Sequence, residues 1–262
     1  MSDAAFNYAT YLELDRLLSL QDAASAEEHD EHLFIVVHQV YELWFKQILH
    51  EARYLTASLR AGEAARAEAT FNRILTILKT LVAQVDVLET MTPVQFSSFR
   101  SRLKTASGFQ SFQFRCLEVT LGRRDPALVR HFGHDPAAVA TLERLHAEPS
   151  LYDAFLACLA RGGVPIPDDV LARDPGGPIP EDERVRAALV DLYRAQAPLH
   201  AIAERMVDLD EGLQEWRYRH VKMVERTIGR KMGTGGSAGA EYLRSTLFRP
   251  FFPDLWAIRS EL

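Results

Sequence analysis

Between Leu33 and Gln47 the chain reads LFIVVHQVYELWFKQ, and this stretch limits the fold more than any other. Leu33, Phe34, Val36, Val37, Val40, Tyr41, Leu43, Trp44 and Phe45 are too many apolar side chains for one stripe of a helix. A helix apolar nearly all round belongs in the middle of a bundle, where every face finds a partner that excludes water. His38 is set into that wall, with Glu42 four residues on and therefore on the same face. An imidazole there must hydrogen-bond, bind a metal or face a ligand cavity, because an unpaired buried polar group is costly. On these residues alone a satisfied core histidine is the simplest of the three readings.

The rest of the chain supplies helices to surround it. Residues 8–20 place Tyr8, Tyr11, Leu12, Leu14, Leu17 and Leu18 on a short amphipathic helix. A polar linker, 21–30, ends in acidic residues suited to starting the helix of Leu33, which runs to about Leu59 and closes at Gly62. From about Glu63 to Glu89, Phe71, Ile74, Leu75, Leu78, Leu81, Val82, Val85 and Leu88 follow i, i+3, i+4, i+7 spacing and predict a core-facing helix. Thr92-Pro93-Val94-Gln95 combines a cap, a first-turn proline and a capping box. The helix it opens, to about Leu103, carries Phe96 and Arg100 one turn apart.

After a break at 105–108 a helix from Phe109 to Leu121 closes at Gly122, and Asp125-Pro126, Asp135-Pro136 and Glu148-Pro149-Ser150 open three shorter ones. Residues 162–182 are rich in glycine and proline and read as an irregular surface insertion. A long helix from about Glu181 to Ile228, broken near Pro198, carries Leu209, Leu213, Trp216, His220 and Val224, a second apolar stripe with a histidine in it. No period-two run suggests a strand. The expected architecture is all-α, a single helical-bundle domain over residues 1–262.

The balance of charge narrows the partners. A net charge of −6, with the 30 Lys and Arg scattered, argues against nucleic acid and anionic membrane surfaces. Cys116 and Cys158 form no CxxC and read as small buried hydrophobes in a reducing compartment. No apolar run approaches the roughly twenty residues of a membrane-spanning helix. The opening MSDAAFNYATYLELD has neither the basic nor the apolar region of a secretory signal. A cytoplasmic protein is expected.

Three features could carry chemistry. The run Gly233-Thr234-Gly235-Gly236-Ser237-Ala238-Gly239 lacks the Lys-Ser/Thr of a P-loop, and a helix precedes it where a dinucleotide fingerprint needs a strand. It offers flexible backbone whose amides can approach a small anion beside the Thr234 hydroxyl, or else a plain hinge between helices. His38 and His220 are far apart and neither has a third ligand at metal spacing. A single protein histidine is poor for zinc but normal for haem, while two core histidines remain the simpler reading. Phe96 and Arg100 share a helix face, the one able to pack an apolar ring and the other to grip a carboxylate through two hydrogen bonds.

Taken together the segments resemble the tryptophan 2,3-dioxygenase family. The matching pieces are YATYLELD at 8–15, HDEHLFIVVHQVYELWFKQILHE at 29–51, LETMTPVQFSSFR at 88–100, SGFQSFQFR at 107–115 and WRYRHVKMVERTIGRKMGTGGSAG at 216–239. They occur in the family's order and, with the C-terminal FFPDLW, span nearly the whole chain.

The resemblance implies an all-α protein with haem b between its helices, one per subunit, and O2 as co-substrate. It would insert both oxygen atoms across the indole C2–C3 bond of L-tryptophan to give N-formylkynurenine, the first step of tryptophan catabolism. By resemblance His220 would be the proximal ligand to the haem iron and His38 would lie on the distal side near the indole nitrogen. Arg100 would hold the substrate carboxylate, Thr234 would contact its amino-acid end, and Phe34 and Phe96 would wall the indole. Ser107 and Gly108 would lie near the distal haem face. Tyr8 and Tyr11 would close the pocket from a neighbouring subunit of a homotetramer. Two departures stand out: some members carry Tyr where Phe96 stands, and some carry Trp in place of Val85. The alternatives are a sibling haem oxygenase acting on another indole or aromatic amino acid, and a helical interaction module without activity.

Overall fold

The computed structural model describes residues 6–25, 27–104, 106–233 and 239–262, apart from the side chain of Phe109. Among the described residues there is no strand; the chain forms thirteen α-helices joined by short turns. In chain order these are α1 (Tyr8–Tyr11), α2 (Leu14–Leu17), α3 (His29–Ala61), α4 (Ala64–Leu88), α5 (Pro93–Arg100) and α6 (Phe112–Leu121). Then come α7 (Pro136–Ala147), α8 (Leu151–Arg161), α9 (Asp168–Leu171), α10 (Glu183–Arg194), α11 (His200–Ile228), α12 (Ala240–Ser245) and α13 (Pro253–Ala257). The all-α expectation holds.

Three long helices organise the rest. At 1.5 Å of rise per residue α3 is roughly 50 Å long, with α11 and α4 not much shorter. Asp30 and Glu31 sit in the first turn of α3, where the helix dipole favours negative charge, and Gly62 ends it in the left-handed conformation at φ 76°. The stripe read in α4 is the core: Phe71, Ile74, Leu78, Leu81 and Val85 are all buried. Each such side chain contributes about 1.5–3 kcal/mol by leaving water. α4 packs along both α3 and α11, and α5 touches both as well, so each of the two histidine-bearing helices leans chiefly on α4. A gap is left between them. Against it packs a small apolar cluster of Val37, Val85, Leu88, Met91, Phe99 and Met223, of which Leu88, Met91 and Met223 line the gap.

The C-terminal tail is fastened by two buried carboxylates that sequence reading passed over. Asp210, fully buried on α11, accepts the amides of Phe251 at 2.8 Å and Phe252 at 3.1 Å and the indole N–H of Trp256 at 3.0 Å. Asp254 accepts the Tyr152 hydroxyl at 2.7 Å and the Asp182 amide at 2.9 Å. Burial pushes both carboxyls above the usual range, and these donors offset part of that cost.

Several expected elements differ. Residues 8–20 are not one helix: α1 and α2 are single turns separated at Glu13, whose φ is 52°. Tyr8 (75%), Tyr11 (67%) and Leu18 (71%) are largely exposed. Helices this short are marginal without packing, and this segment has little core beneath it. The helix expected from Phe109 starts at Phe112, capped by Ser111, after a 3-10 turn at Gly108–Gln110. The Asp125-Pro126 signal opens a 3-10 rather than an α-helix. The long helix to Ile228 is broken around Pro198 as expected, into α10 and α11, with Gln196 at φ 48° in the break. The stretch 162–182 is irregular, as expected, with α9 its one helix. Among the described residues no helix is long and apolar enough to cross a membrane.

Candidate active site

The gap between α3 and α11 is a cavity of about 230 Å³. At roughly 10–15 Å³ of such space per water, it would hold on the order of twenty waters, room for a ligand of several rings. Its walls bring together Phe34, His38, Phe96, Arg100, Ser107, Gly108 and His220, residues drawn from four separate stretches of sequence. Seven of the site residues expected from sequence thus share one cavity. Tyr8 and Tyr11 are not among its lining residues. Thr234 lies outside the described residues, but Gly233 and Gly239, on either side of that segment, both line the cavity. Gly239 has φ 60°, and a Cβ there would stand 2.8 Å from the Lys231 carbonyl oxygen, so only glycine fits.

α3 supplies one wall because Phe34 and His38 lie one turn apart on the same face. The Phe34 carbonyl is 2.7 Å from Nδ1 of His38, an arrangement that puts the neutral ring's proton on Nδ1 and leaves Nε2 as an acceptor. The two rings pack at 4.0 Å between centroids. Phe96, from α5, closes on Phe34 at 5.8 Å, and Phe99 underlies both at 5.7 and 5.4 Å. The capping box of Thr92 and Gln95 fixes where α5 begins, hence where Phe96 and Arg100 point. Arg100 lines the cavity and donates to the Met232 carbonyl just before the glycine-rich run.

α11 supplies the opposite wall through Trp216, Arg217, His220 and Val224. Both histidines keep some surface open to the cavity but lie deep in the fold. Burial lowers the His38 pKa, partly offset by the Phe34 carbonyl and by Glu42. Burial, with a smaller contribution from His38, brings His220 down to about 4. Both imidazoles are therefore neutral at pH 7, the form in which a histidine can ligate a metal or accept a proton.

Sequence reading missed an ionic cluster on the same walls. Glu118 of α6 receives Arg217 at 2.7 Å, Arg115 at 2.5 Å and Arg123 at 3.2 Å, with Glu118, Arg115 and Arg217 all buried. The guanidinium of Arg217 also lies over the Phe251 ring at 4.8 Å. The signal was present: Arg115 and Glu118 sit at i, i+3 in a helix otherwise apolar on that face.

The donors decide which metal could be held. Among the described residues no three His, Cys, Asp or Glu side chains converge, so a zinc or non-haem iron site with three protein ligands has nothing to rest on. Neither ring nitrogen of His220 has a hydrogen-bond partner among the described residues. One neutral imidazole without a described partner, in an aromatic cavity, fits a metal already held by a macrocycle.

The family model of tryptophan 2,3-dioxygenase matches residues 1–164 and 185–262. The chain belongs to the tryptophan 2,3-dioxygenase family. The stretch the match omits, 165–184, coincides with the Pro/Gly-rich insertion around α9. Among curated relatives, tryptophan 2,3-dioxygenase of Herpetosiphon aurantiacus is 56% identical over 259 residues, covering 98% of this chain and 99% of that one. The tryptophan 2,3-dioxygenase of Anaeromyxobacter sp. is 58% identical, covering 99% of this chain and 97% of that one. That of Caulobacter vibrioides is 44% identical, with 97% and 98% covered. Three relatives of one name, matched end to end, place the chain in a dioxygenase family and do not favour a sibling oxygenase or an inactive helical module.

Proposed function

We propose that this chain is a haem-dependent dioxygenase that adds both atoms of O2 across the indole C2–C3 bond of L-tryptophan and releases N-formylkynurenine. The observation that carries the reading is the pairing of His38 and His220 on facing walls of one aromatic cavity, with Arg100 beside them. Haem b, one per chain, would be held by His220; when bound it would supply the oxygen chemistry, which no side chain here can.

The chain's own residues position and exclude. Phe34 and Phe96 present flat apolar faces that suit an indole. Nε2 of His38 is free to accept the indole N–H, which orients the ring and gives its proton a place to reside. Arg100 exchanges the Met232 carbonyl for the substrate carboxylate, a stronger partner because it is charged. Phe96 has no hydroxyl to share that carboxylate, so the grip falls on Arg100. Thr234 would contact the amino-acid end, and Ser107 and Gly108 would border the distal face of the cofactor. Shielding the pocket from water strengthens each of these polar contacts.

The proposal extends to assembly. Tyr8, Tyr11 and Leu18 leave most of their apolar surface exposed among the described residues, which suits docking over a neighbouring subunit's pocket in a homotetramer. Residues 1–262 act as one domain in the cytoplasm. The test is turnover: reduced, haem-loaded protein is given L-tryptophan or tryptamine in air while N-formylkynurenine absorbance is followed. Product from tryptophan and little turnover of tryptamine is expected. Haem binding with no product from tryptophan would overturn the substrate, and a protein that takes up no haem would overturn the whole reading.

A further inference from the structure

We infer that Trp216 is the positioning residue of His220: its indole, clamped by three other rings, fixes the plane of an imidazole to which no described protein group offers a hydrogen bond. The inference rests on the reading of His220 as an iron ligand. A histidine that binds a metal through one nitrogen almost always donates the N–H of the other to a carboxylate, a carbonyl or water, and that bond sets the ring's orientation. His38 has such a bond, to the Phe34 carbonyl. Among the described residues His220 has none.

What His220 has is a ring. The indole of Trp216, one turn back on α11, lies parallel to the imidazole within 4°, centroids 5.4 Å apart. Helical spacing brings the two side chains together but leaves the angle between them free. The angle is held by the surroundings of Trp216. Phe45 meets the indole edge-on at 5.6 Å and 87°, Tyr41 at 6.1 Å and 61°, and Phe114 at 5.0 Å and 47°. Those rings belong to α3 and α6, so the indole cannot turn without displacing two other helices. Tyr41 is itself tied by its hydroxyl to the Leu81 carbonyl of α4 at 2.9 Å.

The choice of tryptophan is otherwise hard to account for. Trp216 is buried, and among the described residues its Nε1–H has only a weak contact with the Tyr41 hydroxyl. A buried indole N–H usually has a full hydrogen bond, and leaving it weakly paired is unfavourable. Phe or Leu would fill such a core position without that cost. What the indole adds is a wide flat face against the imidazole, held rigid on its other sides.

The test uses the full-length, haem-loaded protein and three variants, Trp216→Leu, Trp216→Phe and Trp216→Met. Two quantities are read: the iron–histidine stretching band of the ferrous protein by resonance Raman, and the rate of haem transfer to a scavenging globin. Removing the ring should speed haem loss about two- to tenfold, the scale of one aromatic contact, and should shift and broaden the band as several ring orientations become populated. Phe should recover part of the wild-type band, which a merely space-filling role would not require. Met, near in volume but ringless, should behave as Leu and stands in for it if W216L does not fold. A wild-type band and rate in both ringless variants would overturn the inference, as would a Phe variant no closer to wild type than Met. Absence of the band in the wild-type protein would overturn the ligand assignment itself, and the inference with it.

Discussion

Replacing Arg100 by methionine should raise KM for L-tryptophan roughly 30- to 150-fold while changing kcat little. The magnitude follows from what the guanidinium exchanges. In the ligand-free fold Arg100 already donates to the Met232 carbonyl, a neutral hydrogen bond of net worth about 0.5–1.5 kcal/mol that must be given up. A carboxylate in its place accepts two charge-assisted bonds of about 1.5–3 kcal/mol each. The difference, discounted for a side chain that is only half-buried, is about 2–3 kcal/mol, and 1.4 kcal/mol is a factor of ten. Methionine keeps most of the aliphatic stem beside Phe96, so the change removes the charge without opening a hole.

The assay is a two-by-two comparison: wild type and R100M, each with L-tryptophan and tryptamine. If Arg100 holds the carboxylate, the wild type prefers tryptophan strongly and the variant loses that preference, because tryptamine has nothing for the arginine to grip. A variant that keeps the wild-type preference would refute the reasoning and place the carboxylate contact elsewhere. A variant with unchanged KM and reduced kcat would move Arg100 from binding to the reacting step.

Three further outcomes are expected. Glu42→Gln removes a charge that raises the His38 pKa, so the acid limb of kcat/KM, already below pH 6.5 because burial favours the neutral ring, should move to still lower pH; a limb that stays put or moves upward would show that another group titrates there. Thr92→Ala deletes the α5 capping box at a cost of about 1 kcal/mol, and should lower the melting temperature by roughly 2–4 °C and raise KM, since α5 carries Phe96 and Arg100. Tyr8→Ser with Tyr11→Ser should weaken assembly in sedimentation and raise KM together, whereas an unchanged oligomer with unchanged KM would mean that this segment lies away from every pocket.

How much of this was legible depends on the range of each signal. α3, α4 and α5 could be read almost to the residue because their determinants are local: a periodic stripe, Gly62 as a left-handed cap, and the Thr92-Gln95 box. The N-terminal turns could not, because periodicity of Tyr8, Tyr11 and Leu14 is satisfied by an amphipathic helix whether or not the chain offers it a core. The tail clamp of Asp210 and Asp254 was invisible for the opposite reason. Each carboxylate is an ordinary acidic residue in sequence and becomes structural only through partners 41 to 102 positions away. His38 and His220 lay between these cases. Periodicity placed each on an apolar face, but only the family resemblance joined them, and only the packing of α4 against both helices shows why a cavity separates them.

That packing also explains why the cavity tolerates groups that a core would reject. Two imidazoles, an arginine and the Glu118 cluster all sit on its walls, and in a sealed interior each would be a defect unless fully paired. They persist because the surrounding helices determine the backbone without them. α4 contributes an apolar face to both α3 and α11, the apolar cluster that includes Leu88, Met91 and Met223 borders the cavity, and the Asp210 clamp fixes the tail behind α11. Stability therefore resides in α4 and the tail, and chemistry in the faces of α3, α5 and α11 that α4 does not cover. On this division a change such as Phe71→Ala, fully buried on α4, should cost about 3–5 kcal/mol of stability while leaving KM of the folded fraction near wild type. Arg100→Met should do the reverse. Were F71A to raise KM as much as it lowers stability, frame and site would be one cooperative unit, and the cavity would be formed by its ligand rather than by the helices around it.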